Sequence, residues 1–337
     1  MTRPQRFSYL FILVTLVLTG GLHLATPFLV VLFSYFALEK FWFTRSKALS
    51  ILLFIIMVAA IFYGFIFFVR QAAKALPEVV ETTLPKVLDY ARNSNLTLPF
   101  DDLDSLKIVV MENLKGQLKY VGNFARFATK EFLFLLIGIV VAVSMFLNSN
   151  VELGRETHPL RNNLYSVSSD FISARFATFY QSFKTVMGAQ LIISTLNAAF
   201  TSVFVLWTHL PYPIFVIALT FLCGLLPIIG NLISNIVIVA IALTRTPQFA
   251  LVAMIYLVVI HKLEYFLNSK IIGERIKNPM WLTLLSMVLA ERLMGLPGMI
   301  LAPVILNYLK VEASGIEVAP PAPEPLPAQT TAQTFKL

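Results

Sequence analysis

Long apolar runs in this chain are broken in places where a simple membrane-spanning helix would continue. Leu226–Asn231 (LPIIGN) lies inside the run 214–243, and Gly295–Gly298 (GLPG) divides the run 279–309. Hydrocarbon offers no partner to a free peptide N–H or C=O, so such a break survives only where protein or a water-filled cavity covers it. Broken apolar segments of this kind point to a transport path.

The composition places the whole chain in a membrane. Of its 337 residues 58% are hydrophobic and 13% are charged, whereas a soluble domain has roughly 25% charged residues. The fold class that we expect is all-α: a polytopic helical membrane protein with short or broken helices and helical hairpins, plus a small extracytoplasmic amphipathic helical segment. The net charge of +8 comes from residues at the ends of apolar runs, which favours cytoplasmic anchoring over nucleic-acid binding.

The N-terminal membrane region, residues 1–69, contains two apolar parts. The run 7–38 is interrupted at Gly20–His23 and has basic residues beyond both outer ends. If both ends are cytoplasmic, the run is a hairpin of two short spans, and one long broken helix is the alternative. Residues 48–69 form a single uninterrupted span.

Residues 70–131 differ from the rest, because they hold nine Lys/Arg and eight Asp/Glu. Apolar residues recur there at helical spacing, which predicts two amphipathic helices. Pro77 and Pro85 should interrupt or kink the first of them. We expect these residues to form an extracytoplasmic helical segment. Two roles are open for it: contact with a substrate, or packing against neighbouring subunits.

Residues 132–310 are predicted to form the membrane transport core. Four basic residues lie within 261–278, and the positive-inside rule places them in the cytoplasm. The run 214–243 must then enter the membrane and return, and the run 279–309 is predicted to form a second bent hairpin. The tail 311–337 is rich in Pro, Ala and Thr and is expected to be a disordered cytoplasmic extension.

Polar side chains inside these runs are the candidates for a transport path. Glu264 is followed by Asn268 and Lys270 at a membrane boundary, where its carboxylate could bind a cation or exchange a proton. An interfacial salt bridge with Lys262 or Lys270 is the alternative.

Two further polar groups have both a structural and a functional interpretation. Asn231 and Asn235 are four residues apart beside the 227–230 break; they either replace lost backbone hydrogen bonds or line a path. Gln190, with Ser194 and Asn197, forms a polar stripe that either joins neighbouring helices or faces the solute.

Nothing in the sequence indicates an enzyme. The four histidines are scattered among different segments, and neither H-E-x-x-H nor a Walker A motif is present. We therefore expect no catalytic residues, no cofactor and no resident metal.

The C-terminal third resembles the autoinducer-2 exporter family of bacterial membrane permeases. The residues that carry the resemblance are Gly188–Gln190, Leu226–Asn231, Leu263–Gly273, Pro279 and Gly295–Pro303, in this order and spacing. The N-terminal half agrees in layout more than in motif. Ser269 stands where the family usually has a proline before the lysine of its Pro-Lys-Ile-x-Gly motif, which puts a fixed kink there in doubt.

The resemblance implies a multi-pass protein of the bacterial inner membrane that assembles as a homo-oligomer, for this family a pentamer. It implies small-molecule export in some members and sodium/proton exchange in others. The residues of this chain that match the family's motifs are Pro227, Gly230, Glu264, Asn268, Lys270, Gly273 and Gly298.

Three functions follow as hypotheses. The first is a permease or exporter that moves a small solute, autoinducer-like or other, near the broken helices. The second is a sodium/proton-type antiporter with Glu264 as its titratable group, and the third is a non-transporting oligomeric membrane scaffold. The expected partners are a small molecule or ion, the lipid bilayer and further copies of the chain, but not nucleic acid. Both termini are expected in the cytoplasm.

Overall fold

The chain folds into α-helices joined by short turns in this computed structural model, which describes residues 2–93, 121–148, 163–226, 229–272 and 279–317. Within these ranges there are ten α-helices and no strand, so the predicted all-α class is confirmed. The helices are α1 (Arg3–Gly21), α2 (Ala25–Phe41), α3 (Lys47–Asn93), α4 (Val121–Leu147), α5 (Leu164–Trp207), α6 (Pro213–Gly224), α7 (Ile229–Arg245), α8 (Pro247–Ile272), α9 (Met280–Met294) and α10 (Leu296–Ser314).

Several helices are long and apolar enough to cross a bilayer, which makes the protein a multi-pass membrane protein. Helices α1 and α2 are bent by 117° relative to each other at a short break, so together they form a broken span or a re-entrant loop. Among the described residues, the segments that qualify as single spans are Lys47–Thr83, Thr129–Leu147, Leu164–Trp207, Pro247–Glu264 and Leu296–Ser314.

Two opposite faces are defined by polar contacts at the helix ends. The Tyr9 hydroxyl donates to the Glu312 carboxylate over 3.1 Å, and Arg175 pairs with the same carboxylate. The start of α1, the end of α10 and the first third of α5 therefore meet at one face, called here the terminal face. At the other face, the loop face, the Arg245 guanidinium donates to the Thr208 carbonyl over 2.8 Å.

Helices α6 and α7 form an antiparallel hairpin whose outer ends lie at the loop face. Phe215 near the start of α6 shares a buried cluster with Ile241 near the end of α7. At the other end the two helices touch through backbone, because a Cβ added to Gly230 would lie 1.7 Å from the Cys223 carbonyl oxygen. The hairpin tip is thus a place where a side chain larger than hydrogen does not fit.

Helices α9 and α10 form a second antiparallel hairpin. Met287 and Ala290 of α9 pack with Met299 and Ala302 of α10 in one buried cluster. A Cβ on Gly298 would lie 2.1 Å from the Ala290 carbonyl oxygen. Gly298 therefore permits the close approach of the two arms.

Helix α3 passes through both of its prolines, and neither one ends it. The expected interruption at Pro77 and Pro85 is wrong, whereas a kink there stays a prediction. The carbonyls that each proline leaves without a donor belong to Ala73 and Glu81, both exposed, so the lost hydrogen bonds are not buried against protein. The helix continues from the apolar part into the charged segment to Asn93. The second predicted amphipathic helix falls largely on residues 94–120, outside the described residues.

The C-terminal helix also extends beyond its predicted limit. Helix α10 continues to Ser314, so the first residues of the segment 311–337 are helical. Glu312 gives this last turn a partner, because its buried carboxylate pairs with Arg175 of α5. The remainder of the predicted tail, from residue 318, lies outside the described residues.

Gly298→Ala is expected to destabilise the protein. The added methyl group forces the α9–α10 hairpin apart, and overpacking of this kind costs about 1–3 kcal/mol. Thermal unfolding in detergent, followed by circular dichroism, should show a lower midpoint. Gly64→Ala is the matched control, since nothing lies within 4 Å of its Cβ position; an equal response of the two variants would contradict the packing argument.

Candidate functional site

The end of α6 lies inside the membrane region, and its carbonyl groups are satisfied by side chains of α5. The Gln190 amide donates to the Gly224 carbonyl, and the Ser194 hydroxyl donates to the Phe221 carbonyl. The last carbonyls of a helix have no partner within the helix. Gln190 and Ser194 therefore replace the backbone hydrogen bonds that the chain loses at the break.

The hairpin tip is deep relative to the loop face. Gln190, which contacts the tip, lies about 26 Å along α5 from Trp207 at a rise of 1.5 Å per residue. The hydrocarbon core is about 30 Å thick. With Trp207 taken as one boundary of the core, the tip lies near the opposite boundary. Arg175, at the terminal face, lies about 22 Å from Gln190 along the same helix.

Glu264 contacts the hairpin at this tip. The Asn231 Nδ2 atom lies 2.8 Å from Oε1 and 3.0 Å from Oε2 of Glu264, and both residues are half-buried. Asn231 belongs to the first turn of α7, where the helix dipole favours a negative charge. The carboxylate has this neutral amide as its partner, and no ion pair with Lys262 forms in the described part of the chain.

A second contact joins α7 and α8 one turn further from the tip. The Asn235 Nδ2 atom lies 3.4 Å from His261 Nε2, and His261 Nδ1 lies 3.0 Å from the Leu257 carbonyl oxygen. A carbonyl can only accept, so Nδ1 is the donor in the contact with Leu257, and in the tautomer protonated on Nδ1 the Asn235 amide donates to Nε2. Asn231 and Asn235 thus share the face of α7 that meets α8.

At the loop face the hairpin is fixed by α3. The Lys86 ammonium donates to the Leu243 and Arg245 carbonyls, over 3.2 Å each, and to the Thr244 carbonyl between them. The Thr83 hydroxyl donates to the Ala240 carbonyl over 3.0 Å. These side chains cap the end of α7, which the sequence did not reveal because no local spacing relates residues so distant in the chain.

A cavity of about 890 Å³ opens between α7 and α8. Its walls are mostly aliphatic, and Thr83 of α3 closes one side. The lining residues are Thr83, Asn235, Ile236, Val239, Ala240, Leu243, Met254, Leu257, Val258, His261 and Lys262. This volume is in the range of small-molecule sites, and we call it the α7–α8 groove.

The structure brings some predicted site residues together and separates others. Gln190 and Gly230 meet the end of α6 from two sides, and Asn231 with Glu264 adjoins them. Asn235 lies one turn away, whereas Gly298 belongs to the other hairpin. Asn268 and Lys270 lie on α8 with side chains outside the described residues, and Pro227 and Gly273 lie outside the described residues altogether.

Comparison with known proteins places this chain in a family of transporters. The model of a family described as AI-2E family transporter matches residues 7–312, which confirms the resemblance found in the sequence. The Bacillus subtilis (strain 168) protein named "Putative transport protein YdbI" is 23% identical over 278 residues, which cover 79% of this chain and 77% of that protein. No solved structure matches the chain.

Gln190→Leu is expected to lower stability by leaving the Gly224 carbonyl unpaired, at a cost of about 1–3 kcal/mol. The midpoint of thermal unfolding should fall, and hydrogen exchange near the end of α6 should become faster. Gln181→Leu is the control on the same helix, because Gln181 is exposed. Equal stability of the two variants would show that the Gln190 contact does not satisfy the break.

Proposed function

The chain belongs to the AI-2E family of transporters, and from this premise we propose that it is a permease for a small solute whose path passes the tip of the α6–α7 hairpin. The family and the multi-pass helical structure support transport in general. The solute class and the path are the proposal.

The contact between Asn231 and Glu264 carries this proposal. An ionisable group at membrane depth is costly and is typically retained where it faces a cavity or a partner. Glu264 is half-buried beside a broken helix pair, and its described partner is an uncharged amide. A carboxylate held by an uncharged amide can exchange that amide for another donor.

The strength of the contact suits a latch that opens during transport. A hydrogen bond to a charged group contributes about 1.5–3 kcal/mol, so its loss changes the population of an open state by one or two orders of magnitude. Opening would separate the start of α7 from α8, while Lys86 still holds the far end of α7 at the loop face. The tip, and not the whole hairpin, is therefore the part that moves.

Cation/proton exchange is the second candidate, and one observation favours it. Both carboxylate oxygens of Glu264 face the same Asn231 nitrogen, so a single proton or cation could take the place of that donor. In this mechanism the charge of Glu264 is required in every cycle. In the solute permease the residue only needs to accept a hydrogen bond.

We propose the bacterial inner membrane as the location, with the terminal face towards the cytoplasm. The Tyr9–Glu312 contact brings both helical ends of the chain to one face, and the basic residues after α8 in the sequence belong on the same side. Assembly as a homo-oligomer, a pentamer by the family resemblance, is part of the same proposal.

Flux into proteoliposomes separates the two mechanisms. For the permease, Asn231→Leu is expected to raise solute flux by about ten-fold or more, because the hydrogen bond to Glu264, about 1.5–3 kcal/mol, is lost. Glu264→Gln should retain flux, since glutamine still accepts a hydrogen bond. For the antiporter, Glu264→Gln should abolish sodium-driven proton movement.

Glu291→Gln is the matched control, because Glu291 is an exposed glutamate in the α9–α10 hairpin. It should behave like the unaltered protein in both assays. If neither a broad panel of solutes nor sodium and protons cross faster than in empty liposomes, transport is refuted and the scaffold hypothesis takes its place.

A further inference from the structure

The α7–α8 groove begins one turn from the hairpin tip, and neither Asn231 nor Glu264 lines it. It follows the two helices from Asn235 to Leu243 and from Met254 to Lys262, a length of about 12 Å at the helical rise. One leaflet of the hydrocarbon core is about 15 Å deep. The groove therefore matches most of one leaflet in depth.

The walls of the groove suit a hydrocarbon chain. Ile236, Val239 and Leu243 of α7 face Met254, Leu257 and Val258 of α8. Sites for small molecules are typically apolar with a few polar groups that fix orientation. Along these walls the bound molecule would make dispersion contacts and little else.

The polar groups of the groove lie mainly at the end towards the terminal face. His261 contacts both the Asn235 amide and the Leu257 carbonyl. Lys262 is exposed, and no partner for its ammonium group is found among the described residues. No lining residue is acidic. The open end thus offers the positive charge of Lys262 to the molecule that occupies the groove.

We propose that the α7–α8 groove is a binding site for an anionic phospholipid, with an acyl chain between the two helices and the headgroup on Lys262. An anionic headgroup near the membrane surface gains about 1 kcal/mol per basic side chain. The apolar walls alone would accept any lipid; Lys262 adds the preference for negative charge.

A second copy of this chain fits the groove less well. An apolar helix face pressed into it would cover Lys262 without supplying an opposite charge, and a buried unpaired charge is costly. A lipid headgroup supplies that charge and remains hydrated. The proposal does not depend on transport, and a bound chain would hold α7 against α8 in either the permease or the antiporter.

Photolabelling in bilayers tests the site. The full chain is reconstituted in vesicles of phosphatidylcholine that contain a trace of phosphatidylglycerol or phosphatidylcholine with a diazirine on one acyl chain, and the labelled peptides are identified by mass spectrometry. Labelling of α7 and α8 at residues 236–258 should be about five-fold stronger with the phosphatidylglycerol probe. This about five-fold ratio corresponds to the about 1 kcal/mol that one basic side chain contributes to binding an anionic headgroup.

Two pairs of variants distinguish a site from general lipid contact. Lys262→Gln should make labelling by the phosphatidylglycerol and phosphatidylcholine probes about equal. Lys40 is an exposed lysine near the same face, and Lys40→Gln should leave the preference for phosphatidylglycerol unchanged. Val239→Trp should remove the label from the groove by filling it. Val288→Trp, at a position 59% exposed on α9, should not.

Two results would overturn the proposal. One is equal labelling by the two probes in the unaltered protein, which would reduce the groove to ordinary lipid contact. The other is efficient disulfide formation between copies of a Met254→Cys, Cys223→Ala chain together with loss of lipid label, which would show that a second copy occupies the groove. Circular dichroism of each variant confirms that the helices are intact.

Discussion

The carbonyl groups at the end of α6 must find hydrogen-bond donors where the membrane supplies none, and much of the site depends on how they do so. Gln190 and Ser194 of α5 supply the donors. A helix that stops inside hydrocarbon without such partners would leave several unsatisfied groups, each costly. The chain can turn back at this depth because a neighbouring helix presents an amide and a hydroxyl at the level of the turn.

The same turn creates the local chemistry. Gly230 lets the start of α7 touch the Cys223 carbonyl, so the first turn of α7 is brought close to the end of α6. Asn231 follows directly and donates to Glu264. The hydrogen-bonded carbonyls at the tip and the half-buried Glu264 carboxylate are therefore parts of one arrangement. The permease proposal requires that neighbouring helices hold the tip in place and that water reaches it.

The sequence identified the helical class from the spacing of apolar residues, and the breaks from glycine and proline within apolar runs. It identified the transporter family from the order and spacing of short motifs. It also placed Asn231 and Asn235 on one face of a helix, and the structure shows that face meeting α8. It could not reveal Lys86 capping α7 or Arg175 pairing with Glu312, since such contacts join residues more than a hundred positions apart. The continuity of α3 through Pro77 and Pro85 was missed because the carbonyls that lose their hydrogen bonds belong to exposed residues, which the sequence alone does not show.

Access of water to the hairpin tip is the most direct test of this account. Leu226→Cys in a Cys223→Ala chain places a single thiol beside the turn, and its reaction with a membrane-impermeant maleimide can be followed from each side of sealed vesicles. The account predicts labelling from the terminal face and none from the loop face. Reaction with a membrane-permeant reagent alone would mean that dry side chains or lipid cover the tip, and the path would lie elsewhere.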